Sequence, residues 1–140
     1  MHLPSLAVVT ALVAGVAAGA TGDRLLRAQQ PANGITRTVL QRADVPGAPG
    51  KEVILSLSEF APGASSARHM HPGGELAYIL EGGLVAEIGG KPAATVKAGA
   101  SYVQPPAIVH EAKNASATAK ARAIACTVVD KGQPASVTVP

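Results

Sequence analysis

The amino-acid sequence predicts an all-β domain, a sandwich or a barrel, on three observations. From Thr36 onward no segment sustains an apolar repeat of helical period. Short β-rich runs follow one another, separated at close intervals by the chain's 15 Gly and 11 Pro residues. Several runs alternate apolar and polar side chains, the pattern of a strand buried on one face. Many short strands at regular spacing build a sandwich or a closed barrel.

Taken in order, Leu3 to Ala20 is apolar or small and uncharged, and Ala18-Gly19-Ala20 fits a signal-peptidase site. Residues 1–20 therefore read as a secretory signal, which places the protein in the periplasm or outside the cell. The alternative is an uncleaved anchor, since the n-region lacks Lys and Arg and the length just spans a bilayer. Ala and Gly are weakly hydrophobic for a permanent span, which favours removal and no membrane attachment afterwards. Residues 21–35 read as a polar linker, and 36–140 as the β domain.

Within that domain, Arg37–Arg42 and the alternating Glu52–Phe60 are strands, separated by the loop Val45–Gly50. Ala61–Ala64 turns the chain, Ala67–His71 is extended, and Pro72-Gly73-Gly74 turns it again. Glu75–Leu80 is the next strand. Leu84–Ile88 and Lys91–Lys97 form a hairpin at Gly89-Gly90, a pair suited to positive φ. Ser101–Gln104 is stopped by Pro105-Pro106, and Val109–Ala112, Ala121–Val129 and Val137–Val139 complete the set.

Composition narrows the function. A chain of 140 residues suits one domain, and its 47 % apolar content, rich in Ala and Val, gives a core of small pieces. With no Trp, one Phe and two Tyr there is little on which a nucleobase could stack. The net charge of +3 comes without a run of Lys or Arg, so a nucleic-acid partner is excluded. The single cysteine, Cys126, permits neither an internal disulfide nor a CxxC metal pair, and reads as a small buried hydrophobe. Any metal must be held by His and carboxylate.

Those residues are placed for it. His69 and His71 lie two apart in an extended run, so both imidazoles project from the same side. The Pro72-Gly73-Gly74 turn lets Glu75 face back toward them, and His110 opens a later strand after a Pro-rich turn. Imidazole and carboxylate together suit one divalent transition metal: Fe, Mn, Co, Ni, Cu or Zn. Either histidine alone would read as an ordinary surface residue. His2 belongs to the signal segment. Gly63, Gly82 and Gly99 read as turn residues, and Asn114 as a turn residue bonded to backbone.

Residues 63–82 run Gly63-(X)5-His69-X-His71-(X)3-Glu75-(X)6-Gly82, and residues 99–114 run Gly99-(X)5-Pro105-X-Ala107-(X)2-His110-(X)3-Asn114. These resemble the two sequence motifs of the cupin family, G(X)5HXH(X)3–4E(X)6G and G(X)5PXG(X)2H(X)3N. The one departure is Ala107 in place of Gly, which stiffens the turn without touching a ligand position. The resemblance spans about Arg37 to Asp130, with the short spacer of compact single-domain members. It implies an antiparallel jelly-roll barrel of roughly six to eight strands. It also implies that His69, His71, Glu75 and His110 ligate the metal, leaving a coordination position open.

Three kinds of function follow from the resemblance. The first is a metal-dependent oxygenase acting on a small molecule, with Glu75 as the catalytic base. The second is a lyase or isomerase using the metal as a Lewis acid; Glu59 and Glu81, the other base candidates, sit at strand ends in solvent. The third is a cupin that binds a small molecule or metal without turnover. Tyr102 and Gln104 share a strand face and are candidate pocket-lining partners, whereas Tyr78 faces away from Glu75. A homodimer paired through an edge strand is expected, because pairing hides exposed strand edges.

Overall fold

The computed structural model describes residues 28–140. The predicted signal segment, 1–20, lies outside them. Two ten-residue strands form the spine. β3 (Lys51–Phe60) pairs antiparallel with β10 (Ala121–Asp130) from Lys51 opposite Asp130 to Phe60 opposite Ala121. Their alternation is strict. Ile54, Ser56, Ser58 and Phe60 of β3 point inward, as do Ala121, Ala123, Ala125, Thr127 and Val129 of β10. The period-2 pattern of the sequence is thus the inside-outside pattern of the sheet.

Around this spine β1 (Ala28–Ala32), β2 (Ile35–Asp44), β5 (Glu75–Glu81) and β8 (Ser101–Gln104) complete a six-stranded sheet in the order β1-β2-β3-β10-β5-β8. A three-stranded sheet, β7-β6-β9, is built from β6 (Gly83–Ala86), β7 (Ala94–Lys97) and β9 (Ala112–Asn114). β4 (His69–Met70) pairs with β11 (Val137–Thr138). Every pairing is antiparallel. Phe60, Ile79 and Ala123 of the large sheet pack against Leu84, Ala86 and Ala112 of the small one, in one core. The result is the all-β jelly-roll barrel expected, with alanines occupying much of the interior.

Two expectations are corrected. Residues 28–35, read as linker, form the outer hairpin of the large sheet, so the domain begins before residue 36. A polar segment becomes an edge strand by pairing its backbone with β2, and Asn33-Gly34, at φ 57° and 75°, supplies the turn. Cys126 is half-buried on the outer face, opposite Leu76 and Leu55, and not in the core. The hairpin at Gly89-Gly90 exists, yet its second strand starts at Ala94, because Lys91 N closes a turn on Ile88 O. Glu59 and Glu81 lie on the outside of the barrel, both in ion pairs with Arg122.

Asn114 bonds to backbone, as its motif position suggests. It is buried, donates to the carbonyls of Phe60, Ala61 and Ala119, and accepts from Ser116 N. The outer face of β5 and β8 carries exposed apolar side chains: Val103 is 61 % exposed and Leu76, opposite it, 52 %, with Tyr78 and Leu80 further along.

Candidate metal centre

Three short segments bring the ligands together. His69 is in β4 and His71 follows it by two, so both turn into the barrel. His110 comes from the loop before β9. Its N donates to His69 O and its O accepts from His69 N, a single antiparallel bridge that seats it beside β4. That loop is fastened at a second point, where Ala107 N donates to His71 O at 2.9 Å. Ala107, the departure from the motif, lies at φ 59°, a conformation that Gly adopts freely and Ala adopts at a cost.

His69, His71 and His110 are all buried, and a ligating atom from each lies within 4.8 Å of the others. Their Nδ1 atoms face backbone carbonyls: Ala67 O at 2.8 Å, Ala135 O at 2.8 Å and Ile108 O at 3.2 Å respectively. A carbonyl only accepts, so each Nδ1 carries the hydrogen and each Nε2 keeps its lone pair. Burial pushes the pKa of His69 and of His71 down to about 4, so both are neutral near pH 7. His71 Nε2 is fully buried and has no hydrogen-bond partner among the described residues. Converging lone pairs in a buried place are unfavourable unless a cation sits among them. The residues present therefore fit a divalent transition metal.

Glu75 opens β5 opposite Gln104 of β8, and its Oε2 lies 3.3 Å from His71 Nε2. It stands at the side of the three-histidine group, not inside its mutual contact distance. Burial pushes its carboxyl above the usual range, with the Arg37 charge opposing. Tyr102 lines the same pocket, and its phenol is pushed well above its ordinary value by burial and by Glu75, so it remains a donor. Gln104 is fully buried, its Oε1 accepting from Gly89 N. Tyr78 faces outward.

Sequence reasoning missed two participants. Arg37 of β2 reaches into the pocket, with Nε donating to Ser58 Oγ at 3.2 Å and Nη1 to Ser136 Oγ at 3.3 Å. Ala135, far along the chain, orients His71. A lone Arg in a strand and a carbonyl near β11 carry no motif. The parity of Arg37 with Ile35 was the one usable signal. The pocket encloses about 360 Å3 including its open mouth, and alanines of β5, β9 and β10 form much of its wall.

Known proteins agree with this geometry. Solved structures similar to this chain include an RmlC-like cupin from Shewanella frigidimarina NCIMB 400, at 19 % identity and TM-score 0.60, covering 80 % of this chain and 91 % of that one. A cupin superfamily protein from Desulfitobacterium hafniense DCB-2 matches at 20 % identity and TM-score 0.57, over 73 % of this chain and 84 % of that one. An oxalate oxidase matches at 26 % identity and TM-score 0.61, over 81 % of this chain but only 60 % of its own length. No curated protein sequence matches. The family model for the cupin domain matches residues 56–127, which run from the middle of β3 through β10 and include all four candidate ligands. The chain belongs to the cupin family.

Proposed function

We propose that this protein is an exported metal-dependent enzyme of the oxygenase type, acting on a small oxygen-bearing molecule. The metal is one divalent transition ion held by His69, His71 and His110, with Glu75 as the fourth ligand. The observation that supports this most is the convergence of three buried imidazoles whose Nδ1 atoms are all turned to backbone carbonyls. The similarity to an oxalate oxidase favours oxidative chemistry on a small substrate. Export rests on the apolar Leu3–Ala20 segment and its Ala18-Gly19-Ala20 end. A homodimer belongs to the same reading, supported by the exposed apolar face around Leu76 and Val103.

A metal held by His69, His71, His110 and Glu75 would supply Lewis-acid polarisation and a site for dioxygen chemistry. The protein's own groups do the rest. The carbonyls of Ala67, Ala135 and Ile108 hold the imidazoles in one tautomer, so no rearrangement is needed on loading. Glu75, once it loosens from the metal, is placed to take the proton from a substrate hydroxyl onto an Oε atom. The Tyr102 phenol stays protonated and donates into the pocket. The alanine wall excludes bulk water and limits substrate size.

Metal content of protein purified without chelator or His tag, followed by dioxygen uptake with small diols and enediols, tests the reading. About one equivalent of Fe, Mn, Co, Ni or Cu and substrate-dependent uptake, both lost in His71→Ala, are expected. Zinc alone, with saturable binding and no uptake, would count against oxygenase chemistry.

A further inference from the structure

Arg37 is the feature that the metal centre does not explain. Arg42, Arg68 and Arg122 each pair with a carboxylate. Arg37 pairs with none among the described residues, although it is half-buried and lines the pocket shared by His69, Glu75 and His110. Its guanidinium is held in place by Ser58 Oγ and Ser136 Oγ, which come from β3 and from the segment before β11. Serine hydroxyls fix orientation without neutralising charge. The guanidinium fork makes no other hydrogen bond among the described residues. A fork of this kind matches a carboxylate with two parallel hydrogen bonds.

The charge balance points the same way. Three neutral imidazoles and one carboxylate around a divalent ion leave a single positive charge. Arg37 adds another in the same small pocket, and its Ser58 and Ser136 partners add none. Excess positive charge in a partly enclosed pocket favours an occupant that carries negative charge.

We infer that Arg37 is the recognition group for a carboxylate, and that the ligand of this pocket is a small carboxylic acid bound as its anion. The inference rests on the metal-centre reading for the charge count and for the second contact, an oxygen on the neighbouring carbon directed at the histidines; the unpaired Arg37 fork stands without it. Arg37 is thereby the residue that sets specificity for acids over neutral alcohols and amides of the same shape.

The probe pair is glycolate and its uncharged isostere glycolamide, each titrated calorimetrically into the full mature protein, with metal content measured on the same samples. Wild type is expected to bind glycolate at least tenfold more tightly than glycolamide. Arg37→Gln should abolish that preference while glycolamide affinity and metal content stay unchanged. Arg37→Lys keeps the charge without the fork, and should keep only part of the preference; it decides the matter if the Gln variant does not fold. Wild type that does not prefer glycolate, or a preference undiminished in the folded variants, would overturn the inference. Wild type that holds no metal defeats the proposed function instead, and an Arg37-dependent glycolate preference in that metal-free protein still upholds the role of Arg37.

Discussion

His69 and His110 exchange both of their backbone hydrogen bonds, at 3.0 and 2.8 Å, although 41 residues separate them and neither pairs otherwise with the other's strand. Two candidate ligands from distant segments are thus registered by main chain. The geometry of the centre depends on this bridge and on the loop that leads into it, and the first prediction concerns that loop.

Ala107 holds a left-handed conformation three residues before His110, with its N donating to His71 O. Ala107→Gly removes the steric cost of that conformation. It should stabilise the metal-free protein by about 1 kcal/mol, offset in part by the greater freedom of Gly in the unfolded chain. Urea denaturation measures it; a loss of stability would mean that the loop relaxes without strain.

Glu75→Gln should divide stability from metal affinity. The buried carboxyl is disfavoured in its charged form, so the metal-free variant should be the more stable near pH 7. Metal affinity should fall at least tenfold, because a charged ligand becomes a neutral one. Thermal melts with and without metal, beside a competitive chelator titration, read both. Equal metal affinity would remove Glu75 from the ligand set.

The metal-free protein should also lose stability in acid. Above pH 6.5 His69 and His71 are neutral in the folded and unfolded chain alike. Between 6.5 and about 4 the unfolded chain takes up protons that the folded one refuses, so stability falls as pH falls. Glu75 acts in the opposite sense, since its raised carboxyl keeps a proton in the folded state above the ordinary 4.5. In Glu75→Gln the two histidines act alone, with a steepest slope of about 2.7 kcal/mol per pH unit, and wild type is shallower. Denaturation midpoints across that range would be flat if the histidines were solvated.

Asn114 carries four bonds to backbone between β9 and the turns after Phe60 and before β10. Asn114→Ala leaves buried carbonyls without donors and should cost about 2–4 kcal/mol. Metal bound per folded molecule should not change, which separates a structural residue from a ligand in one preparation.

Val103→Glu places a charge in the middle of the exposed face beside Leu76. In sedimentation the wild type should run as a dimer and the variant as a monomer with its metal retained. A monomeric wild type would leave that face without the partner proposed for it.

What could be read in advance followed from periodicity and spacing. Glu52–Phe60 announced β3 because inside and outside alternate there without interruption. The His69, His71 and His110 cluster was legible because residue spacing on strands translates directly into direction. Ala28–Ala32 was not, since an edge strand with polar side chains is stabilised by backbone bonds that leave no pattern in the letters. β9 begins at Ala112, later than its apolar run suggests, because the His69 bridge claims His110 first. Arg37, Ser136 and Ala135 meet only through the closure of the barrel, and local sequence holds no record of such encounters.

The bond from His71 Nδ1 to Ala135 O joins positions 64 residues apart, and the next residue, Ser136, steadies Arg37. During synthesis the four candidate ligands leave the ribosome well before these partners do. Until Ala135 has emerged, His71 lacks the contact that sets its tautomer, and a metal captured early would meet an unoriented ring. The order of the chain therefore delays the orienting of His71 until Ala135 has been made, which gives the segment before β11 a part in setting when the site can take up an ion correctly.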